Sequence, residues 1–105
     1  GPPGGGPGNA TLYDAEWYRE PTRGQMAMYF PDGSRPGWAV IACQTAPQYK
    51  VVNCHPLSDS PPDSGYAQAL RRAAWQFEVV PPRRNGEPIL GAWVRIRFEL
   101  TSSKG

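Results

Sequence analysis

The last regular segment of this sequence, residues 93–100, alternates apolar side chains with polar or aromatic ones. The apolar positions are Val94, Ile96, Phe98 and Leu100, and the alternate positions are Trp93, Arg95, Arg97 and Glu99. Because successive side chains of a strand point to opposite faces, this pattern predicts a β-strand with one face on a core and the other toward solvent. As the last strand it is a candidate edge strand, whose unpaired backbone groups can pair with another chain. The pattern therefore favours a binding module over an enzyme.

Length and composition limit the chain to one small domain. The sequence has 105 residues, and most of its first ten are glycine or proline. This composition predicts a linker end or a cleavage scar at 1–10, a folded domain at 11–101 and a flexible tail at 102–105. The formal net charge of +2 gives no strong electrostatic argument for binding nucleic acid or an anionic membrane.

The order of periodic segments predicts an α+β fold with the element order αββαβ. We expect a short helix at 22–30, hairpin strands at 38–45 and 49–57, a main helix at 66–77 and the strand at 93–100. In the main helix, Tyr66, Leu70 and Phe77 form an apolar stripe at helical spacing. The expected architecture is a small antiparallel sheet of about three strands, packed against the main helix and the short N-terminal helix.

The two cysteines, Cys43 and Cys54, fall about equally far from the turn of the predicted hairpin. They can therefore face each other across two antiparallel strands, where a disulfide fits. The alternative is a pair of buried free thiols in a reducing compartment. We favour the disulfide, and with it an oxidising compartment. We predict no metal site, because His55 is the only further soft ligand that the chain offers beside the cysteines.

Other groups of side chains give weak signals for catalysis or nucleic-acid binding. His55 has no evident catalytic partner in the polar loop that follows it, so we predict neither an enzymatic activity nor a cofactor. Four arginines lie near an aromatic residue in the sequence, a combination that can bind single-stranded nucleic acid through phosphate contacts and base stacking. The arginines are Arg71, Arg72, Arg83 and Arg84, and the aromatic residue is Trp75. Nine acidic residues offset them, so we favour a solvated basic surface and predict no nucleic-acid partner.

Several short motifs resemble a known family. They are Asn53-Cys54, Ser58-Asp59-Ser60-Pro61, Ser64-Gly65-Tyr66, Ala74-Trp75-Gln76-Phe77, Asn85-Gly86-Glu87-Pro88 and Trp93-Val94-Arg95-Ile96-Arg97-Phe98. Over residues 21–100 the chain resembles the C-terminal domain of TonB-like energy transducers, especially the branch with one cysteine in each hairpin strand. The hairpin turn departs from the family pattern, which usually carries an Asp-Gly or similar pair.

This resemblance implies a function and a set of partners. Members of the family are anchored in the inner membrane of Gram-negative bacteria by an N-terminal helix, where a proton-driven motor of the ExbB and ExbD type drives them. Their C-terminal domain lies in the periplasm and binds the TonB box, a short segment of an outer-membrane transporter, as a strand added beside its last strand. The resemblance thus implies a periplasmic domain that passes energy to transporters of scarce nutrients, with the anchor upstream of Gly1.

The resemblance and the alternating pattern indicate the same binding strand. Its predicted residues are Trp93, Val94, Arg95, Ile96, Arg97, Phe98 and Glu99, and further candidates are Tyr18 and Glu20. We expect Arg95 and Arg97 to meet acidic residues near the transporter segment. Trp93 either covers the second face of the sheet or contacts the partner. Two alternatives stay open: a periplasmic scaffold without energy transduction, and a basic nucleic-acid-binding domain, which a steep salt dependence of binding to single-stranded DNA would favour. An open edge strand also permits a homodimer by strand pairing.

Overall fold

The computed structural model describes residues 11–30 and 35–100, so the predicted linker at 1–10 and tail at 102–105 lie outside the described residues. The strands are β1 (Leu12–Asp14), β2 (Glu16–Arg19), β3 (Gly37–Thr45), β4 (Val51–Ser60), β5 (Glu78–Val80), β6 (Arg83–Arg84), β7 (Glu87–Pro88) and β8 (Trp93–Leu100). The α-helices are α1 (Arg23–Ala27) and α2 (Tyr66–Ala73), and short 3-10 helices occupy Pro47–Tyr49 and Ala74–Gln76.

The main sheet has four strands in the order β1-β8-β3-β4. Strand β8 runs antiparallel to β3 in an unbroken register, from Gly37 opposite Leu100 to Gln44 opposite Trp93. Strand β4 pairs antiparallel with the other side of β3, and β1 pairs in parallel with β8. Strands β2 and β5 form a separate antiparallel pair, and β6 and β7 form a small hairpin. Residues 12–19 therefore contact both the main sheet, through β1, and the segment that follows α2, through β2.

The predicted αββαβ fold with about three antiparallel strands is wrong. The described residues form eight strands in three sheets, with 49% of them in strands and 22% in helices. The main sheet is also mixed, because β1 lies parallel to β8. Strands β1, β2 and β5 are only three or four residues long, and each pairs with a segment distant in sequence. Such short strands give little periodic signal, and their hydrogen-bond partners decide whether they form.

The predicted main helix is present as α2, followed by the 3-10 helix at Ala74–Gln76. Leu70 and Phe77 are fully buried, in one cluster with side chains of β3 and β8. The helix begins after Gly65, and Asp59 Oδ2 of β4 accepts the N–H of Ala67 at 3.0 Å. This strand residue thus satisfies a helix donor that would otherwise lack a partner. Within the described ranges, no helix is both long and apolar enough to cross a lipid bilayer.

The short helix and the hairpin are also present, with altered bounds. Helix α1 begins with a capping box, in which Thr22 Oγ1 accepts the N–H of Gln25 at 3.1 Å and Gln25 Oε1 accepts the N–H of Thr22 at 2.8 Å. It spans five residues and buries Met26, so it is shorter than the predicted helix at 22–30. The hairpin strand β4 continues to Ser60, three residues beyond its predicted end.

Candidate functional site

Strand β8 has β3 along one side and β1 along part of the other. Strand β1 pairs with the first three residues of β8, from Leu12 opposite Trp93 to Asp14 opposite Arg95. One further bond follows, in which the Ala15 N–H donates to the Arg95 carbonyl at 3.0 Å. No strand in the described ranges pairs with residues 96–100 on the side facing away from β3. The outer edge of β8 therefore has a covered part, residues 93–95, and an open part, residues 96–100.

The backbone of the open part is oriented for pairing with another strand. The N–H and C=O of one strand residue point to the same side, and the side alternates from residue to residue. Because the Arg95 carbonyl points toward β1, the backbone groups of Arg97 and Glu99 point outward as well. Those of Ile96 and Phe98 point toward β3. An added strand can therefore bond to Arg97 and Glu99 without disturbing the existing sheet.

The alternation predicted for β8 is confirmed, and it places two arginines on the polar face. Arg95 Nε donates to Asp14 Oδ1 at 3.1 Å, and Arg97 Nη1 lies 3.6 Å from Glu99 Oε1. All four charged side chains are at least half exposed. Exposed ion pairs contribute about 0–1 kcal/mol each. Either arginine can therefore exchange its carboxylate for one from a ligand at little cost in stability.

A groove of about 810 Å³ lies along this polar face and reaches the edge of β8. Its lining includes Leu12 and Asp14 of β1, Trp38 and Val40 of β3, Leu57 of β4, and Arg95 and Arg97 of β8. The Arg97 guanidinium carbon lies 5.8 Å from the centroid of the Trp38 ring, within the range of a cation–π contact. Apolar groups and two arginines line the groove, and its one carboxylate, Asp14, is paired with Arg95. The groove therefore suits a ligand that carries an apolar side chain close to a carboxylate.

Trp93 covers the polar face of the sheet, the first of the two roles considered for it. Its ring centroid lies 5.4 Å from that of His55, with the ring planes at 60°. Trp93 sits opposite Gln44 of β3, so the ring reaches across β3 to β4. Ala42, two residues before Gln44 on the same face of β3, is fully buried. No group of three or more His, Cys, Asp or Glu side chains among residues 11–30 and 35–100 is placed to hold a metal ion.

A disulfide joins Cys43 and Cys54, as predicted. Cys43 is fully buried and lies opposite Val94 of β8. Cys54 follows Asn53, whose φ of 53° coincides with a break in the register between β3 and β4. The covalent link therefore ties β4 to the strand that supports β8, and it lies away from the open part of the edge.

The two further candidates, Tyr18 and Glu20, lie outside the main sheet. Tyr18 belongs to β2, and its ring stacks on that of Tyr49 with centroids 3.9 Å apart and planes at 5°. Glu20 is exposed between β2 and α1. Neither residue pairs with β8, so the structure does not bring them to the predicted binding strand.

The arginines that flank Trp75 in sequence belong to two separate elements. Arg71 and Arg72 occupy the last turn of α2, where positive charge complements the helix dipole. The other two form strand β6 of the small hairpin, Arg83–Arg84. Trp75 Nε1 donates to Tyr29 Oη at 2.7 Å, so the indole is held by the residue that follows helix α1 and its C-cap.

The sequence leaves residues 11–20 open as a short strand or an extended arm packed on the domain, and the structure forms an N-terminal arm there, residues 12–19, which comprises β1 and β2. Tyr13, Ala15 and Trp17 pack against the core, while Asp14 and Glu16 between them are exposed. This alternation with a period of two was the signal that could have identified the arm as extended. Nothing local could have shown that its first strand lies beside β8.

Thr45 is a residue that sequence reasoning missed. It is 3% exposed, and its hydroxyl donates to the Ile89 carbonyl at 2.7 Å and accepts the Ala92 N–H at 3.1 Å. Its own N–H donates to the Ala92 carbonyl at 2.9 Å. Thr45 therefore fixes the chain at the point where β8 begins. A threonine at a strand end gives no sign of such a role in the sequence.

No protein-family model matches this chain, and no curated protein matches it either. The geometry of β8 and the short motifs of the sequence are therefore the two grounds for a function.

Proposed function

We propose that this domain binds an extended peptide as a strand added to β8, and that it does so as the periplasmic domain of a TonB-type energy transducer. The observation that supports this most strongly is the open part of the β8 edge, where the backbones of Arg97 and Glu99 point outward. The peptide is then the TonB box of an outer-membrane transporter. A motor of the ExbB and ExbD type supplies the energy through an inner-membrane anchor.

The regularity of β8 supports strand addition. Its register with β3 is unbroken, and the strand contains no proline. Backbone hydrogen bonds to an added strand do not depend on the side chains of the ligand, so one edge can accept several related peptides. Selectivity then comes from the side chains that alternate along the peptide, with carboxylates favoured beside Arg95 and Arg97.

The connections of β8 also suit the transmission of force. A pull along an added strand loads its ladder of hydrogen bonds together, and the load passes from β8 to β3. The disulfide between Cys43 and Cys54 joins β3 to β4 covalently. A force that passes from β8 to β3 therefore cannot pull β3 and β4 apart at that point. Structural disulfides persist in oxidising compartments, which agrees with a periplasmic location.

An amide chemical-shift titration tests the proposal. Short peptides with the sequences of transporter N-termini are added to the full chain, to an Arg97→Pro variant and to a matched Arg97→Ala variant. Proline removes the outward N–H, while alanine removes only the side chain. We expect saturable shifts at residues 96–100 in the wild type and an affinity loss of about tenfold or more in the proline variant, since one lost hydrogen bond of about 1.4 kcal/mol corresponds to tenfold.

Two results would contradict the proposal. One is the absence of shifts with any such peptide at millimolar concentration in a folded, monomeric sample, which favours the scaffold alternative. The other is equal affinity of the proline and alanine variants. Sedimentation of the free protein is measured alongside, because a homodimer formed through β8 would occupy the same open edge.

A further inference from the structure

The covered part of the β8 edge already holds a short extended peptide, which is the chain's own strand β1. It runs parallel to β8, and its residues lie opposite residues 93–95. The Ala15 N–H extends the ladder by donating to the Arg95 carbonyl at 3.0 Å. At Ala15 the chain leaves β8 and continues as β2, which pairs with β5. The edge that would receive a peptide is thus partly filled from within the molecule.

The side chains of β1 make the contacts that a bound peptide would need. Tyr13 lies opposite Val94 and packs against the core cluster. Asp14 lies opposite Arg95 and accepts a hydrogen bond from its guanidinium at 3.1 Å. Leu12 lines the groove on the polar face. The covered part of β8 therefore accepts an apolar residue, then an aromatic residue facing the core, then a carboxylate facing Arg95.

The two strands of the arm are held very differently. In β2, Trp17 packs edge-on against the buried ring of Phe77, with centroids 5.2 Å apart. In β1, no side chain is fully buried, and the Asp14 side chain is 80% exposed. Strand β1 spans only three residues, and its ion pair is screened by solvent. The arm can therefore release β1 by a change of backbone direction near Ala15 while β2 stays in place.

We propose that β1 is an internal occupant of the peptide site, and that the peptide which replaces it repeats its pattern of apolar, aromatic and acidic residues in parallel orientation to β8. This inference rests on the proposed function, since it assumes that β8 accepts a peptide. Release of β1 extends the available edge from the open part to the whole of β8. A peptide that binds only the open part does not compete with β1. A longer peptide that also pairs with residues 93–95 must displace β1.

The fraction of molecules in which β1 is released sets how much β1 lowers the apparent peptide affinity. If β1 is paired in nine molecules of ten, the apparent affinity for a peptide that needs the whole edge is reduced by about tenfold. Variants that release β1 should recover that factor. They should leave the affinity of a peptide confined to the open part unchanged.

The test uses two substitutions in the full chain, each with a matched control. Ala15→Pro removes the N–H that donates to Arg95, and Ala15→Ser keeps it. Asp14→Lys places a like charge beside Arg95, and Asp14→Asn removes the charge without repulsion. The probe is an eight-residue peptide with the sequence Leu-Tyr-Asp at its centre, and the control peptide carries Lys in place of Asp. Amide spectra of β3 and α2 verify that each variant is folded.

We expect Ala15→Pro and Asp14→Lys to bind the Leu-Tyr-Asp peptide about five- to tenfold more tightly than the wild type, Ala15→Ser to match the wild type, and Asp14→Asn, which weakens β1 without repelling it, to fall between the wild type and Asp14→Lys. The Lys peptide should bind more weakly to every form. Equal affinity of the wild type and both releasing variants would overturn the inference, as would equal affinity for the two peptides. Binding of the peptide at residues 96–100 with β1 still in place would also overturn it while leaving the proposed function intact. Absence of Leu-Tyr-Asp peptide binding to every variant would overturn this inference, whereas the proposed function falls only if the transporter peptides also leave residues 96–100 unshifted.

Discussion

Strand β4 borders the main sheet on one side, and β8, with β1 over its first residues, borders it on the other. Strand β4 carries Pro56, which lacks a backbone donor, and its register with β3 shifts at two places. Asn53 near one shift has a positive φ. Proline and bulges of this kind prevent an edge from pairing with further strands. Strand β8 has neither feature, and its ladder with β3 is continuous.

The difference indicates which edge of the sheet is suited to binding. The β4 edge is irregular and tied to β3 by a disulfide, so it serves to stabilise the domain. The β8 edge is regular, and within residues 11–30 and 35–100 the chain covers it only at residues 93–95. A natural domain usually protects a regular edge from adventitious pairing. The short β1 cover is consistent with an edge that must be protected and yet remain accessible.

The largest expected effect concerns the disulfide on the β4 side. Replacing both cysteines, as Cys43→Ala with Cys54→Ala, should lower the free energy of unfolding by about 3 kcal/mol, because the unfolded chain regains the entropy of the closed loop. Chemical denaturation measures this loss, and the wild type under reducing conditions is the matched comparison. If the two edges act independently, the folded variant keeps its peptide affinity at β8. Unchanged stability, or a folded variant that no longer binds, would break the comparison.

The next effect concerns the start of β8. Thr45→Val removes the buried hydroxyl that donates to the Ile89 carbonyl and accepts the Ala92 N–H. It should lower the free energy of unfolding by about 2 kcal/mol, because both groups lose a hydrogen-bond partner. Thr45→Ser keeps the hydroxyl and should cost clearly less. Thermal and denaturant unfolding of the two variants measure the difference. Equal losses would show that the methyl group, and not the hydroxyl, holds this junction.

A smaller effect concerns the link between β4 and α2. Asp59→Ala removes the carboxylate that accepts the Ala67 N–H. It should lower the free energy of unfolding by about 1 kcal/mol, as the loss of a helix cap does. Asp59→Asn keeps an acceptor oxygen at the same position and should recover most of that loss. Denaturant midpoints of the two variants provide the measurement. A loss as large in the asparagine variant would mean that the negative charge, rather than the hydrogen bond, supports the helix.

The smallest effect concerns the cover on β8. Asp14→Asn removes an ion pair whose two side chains are at least half exposed, so it should change the free energy of unfolding by less than about 1 kcal/mol. The exchange rate of the Ala15 amide should nevertheless rise, because β1 opens more often. Hydrogen exchange followed by NMR measures both quantities. A large loss of global stability would show that β1 is part of the core and no removable cover.

The sequence carried enough information for the elements whose pattern is local. The stripe of Leu70 and Phe77 identified α2, and the alternation around Val94 and Ile96 identified β8 and its core face. The cysteine spacing gave the disulfide, since antiparallel neighbours lie at predictable distances from a hairpin turn. In each case the residues that decide the structure are close together in the chain, or related by one turn.

The covered edge could not be predicted in the same way. Leu12 and Trp93 are paired although most of the chain lies between them, and parallel pairing of a three-residue strand leaves no local trace. The alternation of Tyr13, Ala15 and Trp17 predicts an extended arm and does not say where the arm lies. The predicted fold class failed for this reason, because the additional strands depend on contacts distant in sequence.

Amide hydrogen exchange along β8, with and without peptide, is the most direct test of the claim that its outer edge accepts a strand. In the free protein, Ile96 and Phe98 should exchange slowly because they bond to β3, while Arg97 and Glu99 exchange fast. Saturating peptide should protect Arg97 and Glu99 and leave the other two unchanged. Protection of Arg97 and Glu99 in the free monomer, or fast exchange at both positions in the complex, would contradict the account.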